Sequence, residues 1–125
     1  MHRTGRSALM AEALSTLDIP PTVAAVLALP SGLTAAQARG AVCVWGTERL
    51  TAETAVDLGE YVGSEGRLFL RACRTHAADC AYRAHRGLLD HAPGCDDCRR
   101  ELAPGEPVVC ETARVLYRLV REGRR

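Results

Sequence analysis

His91-Ala92-Pro93-Gly94-Cys95-Asp96-Asp97-Cys98 is the stretch on which the reading of this chain turns, and Cys110 follows it after eleven residues. Zinc takes four tetrahedral nitrogen or sulfur ligands, and thiolates with imidazole are a common structural set. A Cys-x2-Cys pair lets two sulfurs reach one ion from a single turn. Pro93-Gly94 breaks the chain just after His91, so the imidazole can point back over that turn. Cys110 falls at the start of a helical segment, where the helix dipole favours a thiolate. The spacing predicts a zinc site made of His91, Cys95, Cys98 and Cys110. A redox or disulfide role for Cys95 and Cys98 is the competing reading.

Upstream lie Cys43 and then Cys73-x2-His76-x3-Cys80. A strand-borne ligand, a hairpin and ligands at a helix start follow the order of a treble-clef zinc finger. Helix geometry constrains this second set, since Cys73 and Cys80 would be separated by about 10 Å of rise in a straight helix. They can share an ion only if Cys73 sits in the turn before the helix. One reading makes Cys43, Cys73, His76 and Cys80 a second zinc site. The other makes Cys43 and Cys80 small buried apolar residues. His85, between Arg83 and Arg86, reads as solvated, and His2 falls in a ragged terminus.

Around these sites the local signals are mixed. Residues 1–6 read as disordered, and Ser7 to Leu17 as a short helix with Leu9, Met10, Leu14 and Leu17 in one stripe. Thr22 to Leu29 allows a turn or two of helix after Pro20-Pro21, and Thr34 precedes a short helix stopped by Gly40. Ala41 to Trp45, Val56 to Leu58 and Leu68 to Leu70 are β-prone, with a turn from Gly63 to Gly66. Arg74 to His91 contains no breaker except Gly87 and reads as the longest helix. Asp96 to Leu102 allows another turn. Glu111 to Glu122 reads as amphipathic, with Ala113, Leu116, Tyr117 and Val120 on one face. The expected fold is α+β and mostly helical: a short β-hairpin plus helix, treble-clef-like, followed by a second zinc-stapled helical segment. Residues 1–40 are expected to form an N-terminal helical segment, and 41–125 a zinc-binding domain with two metal sites.

Composition supports metal staples. The chain has 125 residues with one Phe and one Trp, and alanine fills much of its apolar share. Alanine buries little area at roughly 25 cal/mol per Å², so such a core is thin without a metal. Arginine supplies all 16 basic residues, a bias typical of a GC-rich genome. The net charge of +1 provides no global field to steer the chain towards nucleic acid. No apolar run approaches the ~20 residues of a membrane helix, and the first segment does not read as a signal peptide. A cytoplasmic location is expected, where cysteines serve metals or redox chemistry more often than disulfides.

The stretch from about Leu33 onwards resembles an uncharacterised family of small Cys-rich proteins of Streptomyces and related actinobacteria. The resemblance is carried by Cys43-Val44-Trp45-Gly46, Asp57-Leu58-Gly59, Cys73-Arg74-Thr75-His76 and His91-Ala92-Pro93-Gly94-Cys95-Asp96-Asp97-Cys98. The family pattern has a Cys-Val-Trp-Cys-Gly knuckle and a Cys-x2-Cys helix start. This chain lacks the second knuckle cysteine and has His76 in place of a helix-start cysteine. The resemblance implies a first site rebuilt with Cys80, degraded, or open to water, and it implies no established activity. Residues 91–102 also resemble the His-x3-Cys-x2-Cys helix of zinc-containing anti-sigma factors.

One or two zinc ions are therefore the expected cofactors. A non-enzymatic regulatory or protein-interaction module with a protein partner is the leading expectation. A zinc finger-like nucleic-acid binder would use Arg67, Arg71, Arg74, Arg83 and Arg86 with the arginine-rich tail. A zinc-dependent enzyme would need an open metal position beside Asp57, Glu60 or Asp79. A thiol redox switch would eject its zinc on oxidation. No His-Glu-x2-His, phosphate loop or nucleophile elbow is present.

Overall fold

In the computed structural model, residues 17–63 and 66–125 are described. The expected helix over Ser7–Leu17 and the disordered start lie outside them, apart from Leu17, which is not helical. The fold is α+β and mostly helical, with one two-stranded antiparallel hairpin followed directly by a helix. In chain order the elements are α1 (Pro21–Leu27), α2 (Ala35–Ala38), β1 (Val56–Gly63), β2 (Gly66–Ala72), α3 (Arg74–His91), α4 (Asp96–Arg99) and α5 (Glu111–Gly123). A 3-10 turn, Ala92–Gly94, separates α3 from α4. Among the described residues no helix is long and apolar enough to cross a membrane.

The described residues form two compact units. The first holds residues 17–18 and Leu29–His76; the second holds Ile19–Ala28 and Ala77–Arg125.

In the first unit the hairpin is the scaffold. Side chains alternate across β2, so Leu68, Leu70 and Ala72 are buried while Arg67, Phe69 and Arg71 face out. Leu58 and Tyr61 of β1 join them with Leu33 and Val44. Each fully buried leucine contributes about 1.5–3 kcal/mol. A bulge between Asp57 and Gly59 shifts the register; Gly59 has φ +112, and its N–H donates to the Asp57 carboxylate at 2.9 Å. The Tyr61 hydroxyl donates to the Leu58 carbonyl at 2.7 Å. Gly40 ends the α2 segment with φ +82, and a Cβ there would stand 2.6 Å from the Phe69 carbonyl oxygen. Only glycine fits that approach.

Ala41–Trp45 is not a regular strand. It contributes one isolated bridge, Val42 to Arg49, and then turns sharply, with the Gly46 N–H donating to the Cys43 carbonyl at 3.1 Å. The β-prone residues form a knuckle because the chain must reverse within the six residues between 42 and 49 to pair them.

In the second unit, α1 and α5 pack together, and α3 buries Ala77, Cys80, Ala81, Ala84 and Leu88. Arg83 Nε donates to the Val26 carbonyl at 2.9 Å, satisfying an end carbonyl of α1. Small residues permit close approach: a Cβ on Gly87 would stand 2.9 Å from Val26 Cγ2, and one on Gly123 would collide with the Ala77 carbonyl. The buried face of α5 is Ala113, Leu116 and Leu119. The expected stripe of Ala113, Leu116, Tyr117 and Val120 is thus displaced by about one position, and Tyr117 is exposed. The displacement accompanies the tight seat of Gly123 against α3.

Candidate metal centres

Two clusters of ligand-capable side chains emerge, one in each unit. His91, Cys95, Cys98 and Cys110 each offer a donor atom, and all four donors lie within 4.8 Å of one another. His91 is the last residue of α3, and the 3-10 turn reverses the chain behind it. Cys95 caps α4, with its N–H donating to the Ala92 carbonyl at 3.2 Å and its carbonyl accepting from Arg99 at 3.0 Å. Cys98 follows within α4. Cys110 caps α5, its sulfur accepting from the Ala113 N–H at 3.5 Å.

The spacing of these atoms suits zinc. His91 Nε2 stands 3.4 Å from Cys110 Sγ, and the Cys95 and Cys110 sulfurs are 3.9 Å apart. A tetrahedral ion with bonds of about 2.3 Å to sulfur and about 2.0 Å to nitrogen separates its ligands by about 3.5 Å (S to N) and about 3.8 Å (S to S). The six cysteines are all free thiols. The donor set therefore fits a closed four-coordinate centre.

Electrostatics make the cluster one that a cation could occupy. The backbone N–H of Cys98 holds the Cys95 thiol below its usual range, with help from the Cys98 and Cys110 side chains. Cys98 is pushed up to about 12, first by desolvation and then by the neighbouring Cys95 and Cys110 sulfurs. Three sulfurs this close cannot all ionise alone. A divalent cation removes that conflict by replacing the shared protons.

The second cluster comprises Cys43, Cys73 and His76. His76 Nδ1 is 3.3 Å from each of the two sulfurs. Cys73 lies in the turn between β2 and α3, as the helix-rise argument requires, and His76 follows on the first turn of α3. The Val44 N–H donates to the Arg71 carbonyl at 2.9 Å, which hangs the knuckle beside the end of β2 and sets Cys43 against Cys73. Burial raises the Cys73 thiol, the His76 backbone N–H opposes that rise, and the nearby Cys43 and Glu48 add to it. The rings of Trp45 and His76 lie 6.2 Å apart, tilted by 56°.

Cys80 does not join this group. It is fully buried in α3 within the second unit, and burial pushes its thiol up to about 11. With Cys73 at the helix start, the seven intervening steps carry Cys80 about two turns along the helix.

Two residues important to the Cys43/Cys73/His76 cluster carry no obvious sequence signal. Gln37 Nε2 donates to the carbonyls of Val44 at 3.0 Å, Gly46 at 3.2 Å and Cys43 at 3.4 Å. Its Oε1 accepts from the Thr34 N–H at 2.9 Å, completing a capping box on α2. The Thr34-x-x-Gln37 pattern announces the cap but not the clamp. Gly46 is the second: a Cβ there would meet only His76 Cε1, at 3.5 Å.

No protein-family model matches the chain, and no curated protein or solved structure matches it either.

Proposed function

We propose that this chain is a zinc protein acting as a non-enzymatic protein-interaction module, with the His91/Cys95/Cys98/Cys110 centre as its structural staple. The observation that carries the reading is the convergence of four donors from three separate elements, with no fourth position left for substrate. The ion would hold the end of α3, all of α4 and the start of α5 in place.

What it would hold in place is an apolar groove. A cavity of about 380 Å³ beside Cys98 is lined by Leu88, Leu89, Leu102, Val109 and Tyr117 among others. Leu89, Val109 and Tyr117 are each more than half exposed. Apolar side chains grouped this way suit an apolar helix face of a protein partner. A reducing cytoplasm suits the role, because it keeps the thiols available to the ion.

Metal content of the full chain purified without added zinc tests the staple. We expect at least one tightly held zinc per chain, lost in a His91→Ala/Cys98→Ala double variant; metal-free protein would overturn it. A photocrosslinker at Tyr117 should give a discrete adduct in cells that disappears in Cys98→Ala, whereas one at Arg125 should not. Absence of any adduct at Tyr117 would remove the interaction role.

A further inference from the structure

We propose that Cys43, Cys73 and His76 form a second zinc site that is three-coordinate in protein ligands, and that its open fourth position, facing Gly46, takes an exchangeable small thiol. Its donors are separate from those of the C-terminal centre, so either site can exist without the other.

Three observations on the site lead here. First, the donor spacing is already that of a bound ion, with His76 Nδ1 3.3 Å from both sulfurs. Backbone and side-chain contacts hold it: the Cys43 N–H donates to the Glu48 carbonyl at 2.9 Å, the Val44 N–H to the Arg71 carbonyl, and the Gln37 amide to the Val44 carbonyl. Such second contacts are what a preorganised metal site needs.

Second, the set is incomplete. Among the described residues no fourth His, Cys, Asp or Glu donor joins it. Three protein ligands with one open position are the pattern of zinc sites that exchange ligands, and closed sites use four.

Third, the opening has a location. A Cβ on Gly46 would approach His76 Cε1, the atom bonded to the ligating Nδ1, at ordinary contact distance and meet nothing else within 4 Å. Gly46 thus sets no side chain against the His76 ring, beside the atom bonded to its ligating nitrogen.

The chemistry of the occupant follows from charge and softness. Two thiolates and an imidazole would fill three of the four positions of a tetrahedral Zn²⁺, and a thiolate-bearing site favours a soft ligand in the fourth. An incoming thiol would displace a water from the open position of the zinc that Cys43, Cys73 and His76 would hold. Its S–H proton passes to solvent as the Zn–S bond forms, and no electron is transferred.

The test uses the full chain loaded anaerobically with Co²⁺, read by its d–d and sulfur-to-cobalt absorption. We expect two equivalents of cobalt. Added 2-mercaptoethanol should produce a saturable new sulfur-to-cobalt band with a stoichiometry of one per chain. Gly46→Cys should show that band without added thiol and no longer respond. Cys43→Ala should bind one equivalent and also fail to respond, which preserves the test if Gly46→Cys does not fold. Two unresponsive equivalents in the wild-type chain, or a single unresponsive equivalent lost in Cys110→Ser, would overturn the proposal; the second result leaves the C-terminal staple standing. A single responsive equivalent that survives in Cys110→Ser would do the reverse.

Discussion

The side-chain amide of Gln37 donates to the Val44 carbonyl at 3.0 Å, so a residue of the short helix α2 holds the loop that carries Cys43. The same amide reaches Gly46 and Cys43, which leaves three carbonyls facing one donor group. Removing the amide frees the knuckle without touching a ligand. Gln37→Leu is expected to weaken metal binding at the Cys43/Cys73/His76 site by roughly 10–100-fold, the usual effect of losing an outer contact, and to leave the C-terminal site unchanged. Competition with a chelator, read separately for the two equivalents, checks this.

Cys110 links its metal centre to α5 through its place at the helix cap. Cys110→Ser should abolish tight zinc binding at the C-terminal site and loosen the first turn of α5. If zinc is held about 1,000-fold below its free concentration, losing it removes about 4 kcal/mol. At roughly 4–8 °C per kcal/mol for a unit of this size, the melting temperature of the second unit should fall by about 15–30 °C. Calorimetry of the two proteins with zinc present reads the difference.

Zinc affinity at the C-terminal site should fall as the pH falls. In the metal-free protein Cys98 keeps its proton up to about 12, so that proton must leave whenever zinc binds anywhere below this value. Cys98 alone therefore makes binding about tenfold weaker for each unit of acidification. Affinities measured at pH 6 and pH 8 should differ by at least about 100-fold. Equal affinities would mean that Cys98 is not a ligand.

Cys80 should behave unlike the other thiols. It is fully buried and pushed up to about 11, so it stays protonated at neutral pH. Iodoacetamide applied to the chelated protein should modify Cys95 first and leave Cys80 intact until the chain is unfolded. The unfolded chain ionises Cys80 near its ordinary value of 9.0, below the folded value. Its contribution to stability is therefore complete below pH 9 and is lost as the pH rises towards about 11, by roughly 2 kcal/mol. Denaturant unfolding of wild type and Cys80→Ala at pH 8 and pH 11 should show that difference.

Gly40 should tolerate no side chain. With φ at +82 and the Phe69 carbonyl 2.6 Å from a Cβ, Gly40→Ala combines a left-handed backbone cost of about 1–2 kcal/mol with a clash. Denaturant unfolding should register a loss of at least about 2 kcal/mol. Gly105 has the same φ but open space around it, so Gly105→Ala should cost only the backbone part.

Much of this protein is determined by its sequence alone, for local reasons. Helix α3 runs over Arg74–His91 as its composition predicts, because Pro93-Gly94 follows its end and the single Gly87 inside does not stop it. Proline at its first position starts α1, Thr34 and Gln37 cap α2, and alternating residues define the exposed and buried faces of β2. The Cys-x2-Cys pair with His91 and Cys110 could be grouped by spacing because the turns between them are short and marked by Pro and Gly.

Tertiary structure decided what depends on distant residues. Ala41–Trp45 has the composition of a strand, yet its pairing with Arg49 and Arg71 bends it into a knuckle. Cys80 looks like a fourth ligand by spacing, but the helix carries it into an apolar interior. The buried stripe of α5 turns towards Leu119 because Gly123 seats against α3. The Gln37 clamp and the open side at Gly46 depend on contacts across nine and thirty residues. Local propensity says nothing about such contacts; the packing of the hairpin, the knuckle and the first turn of α3 creates them.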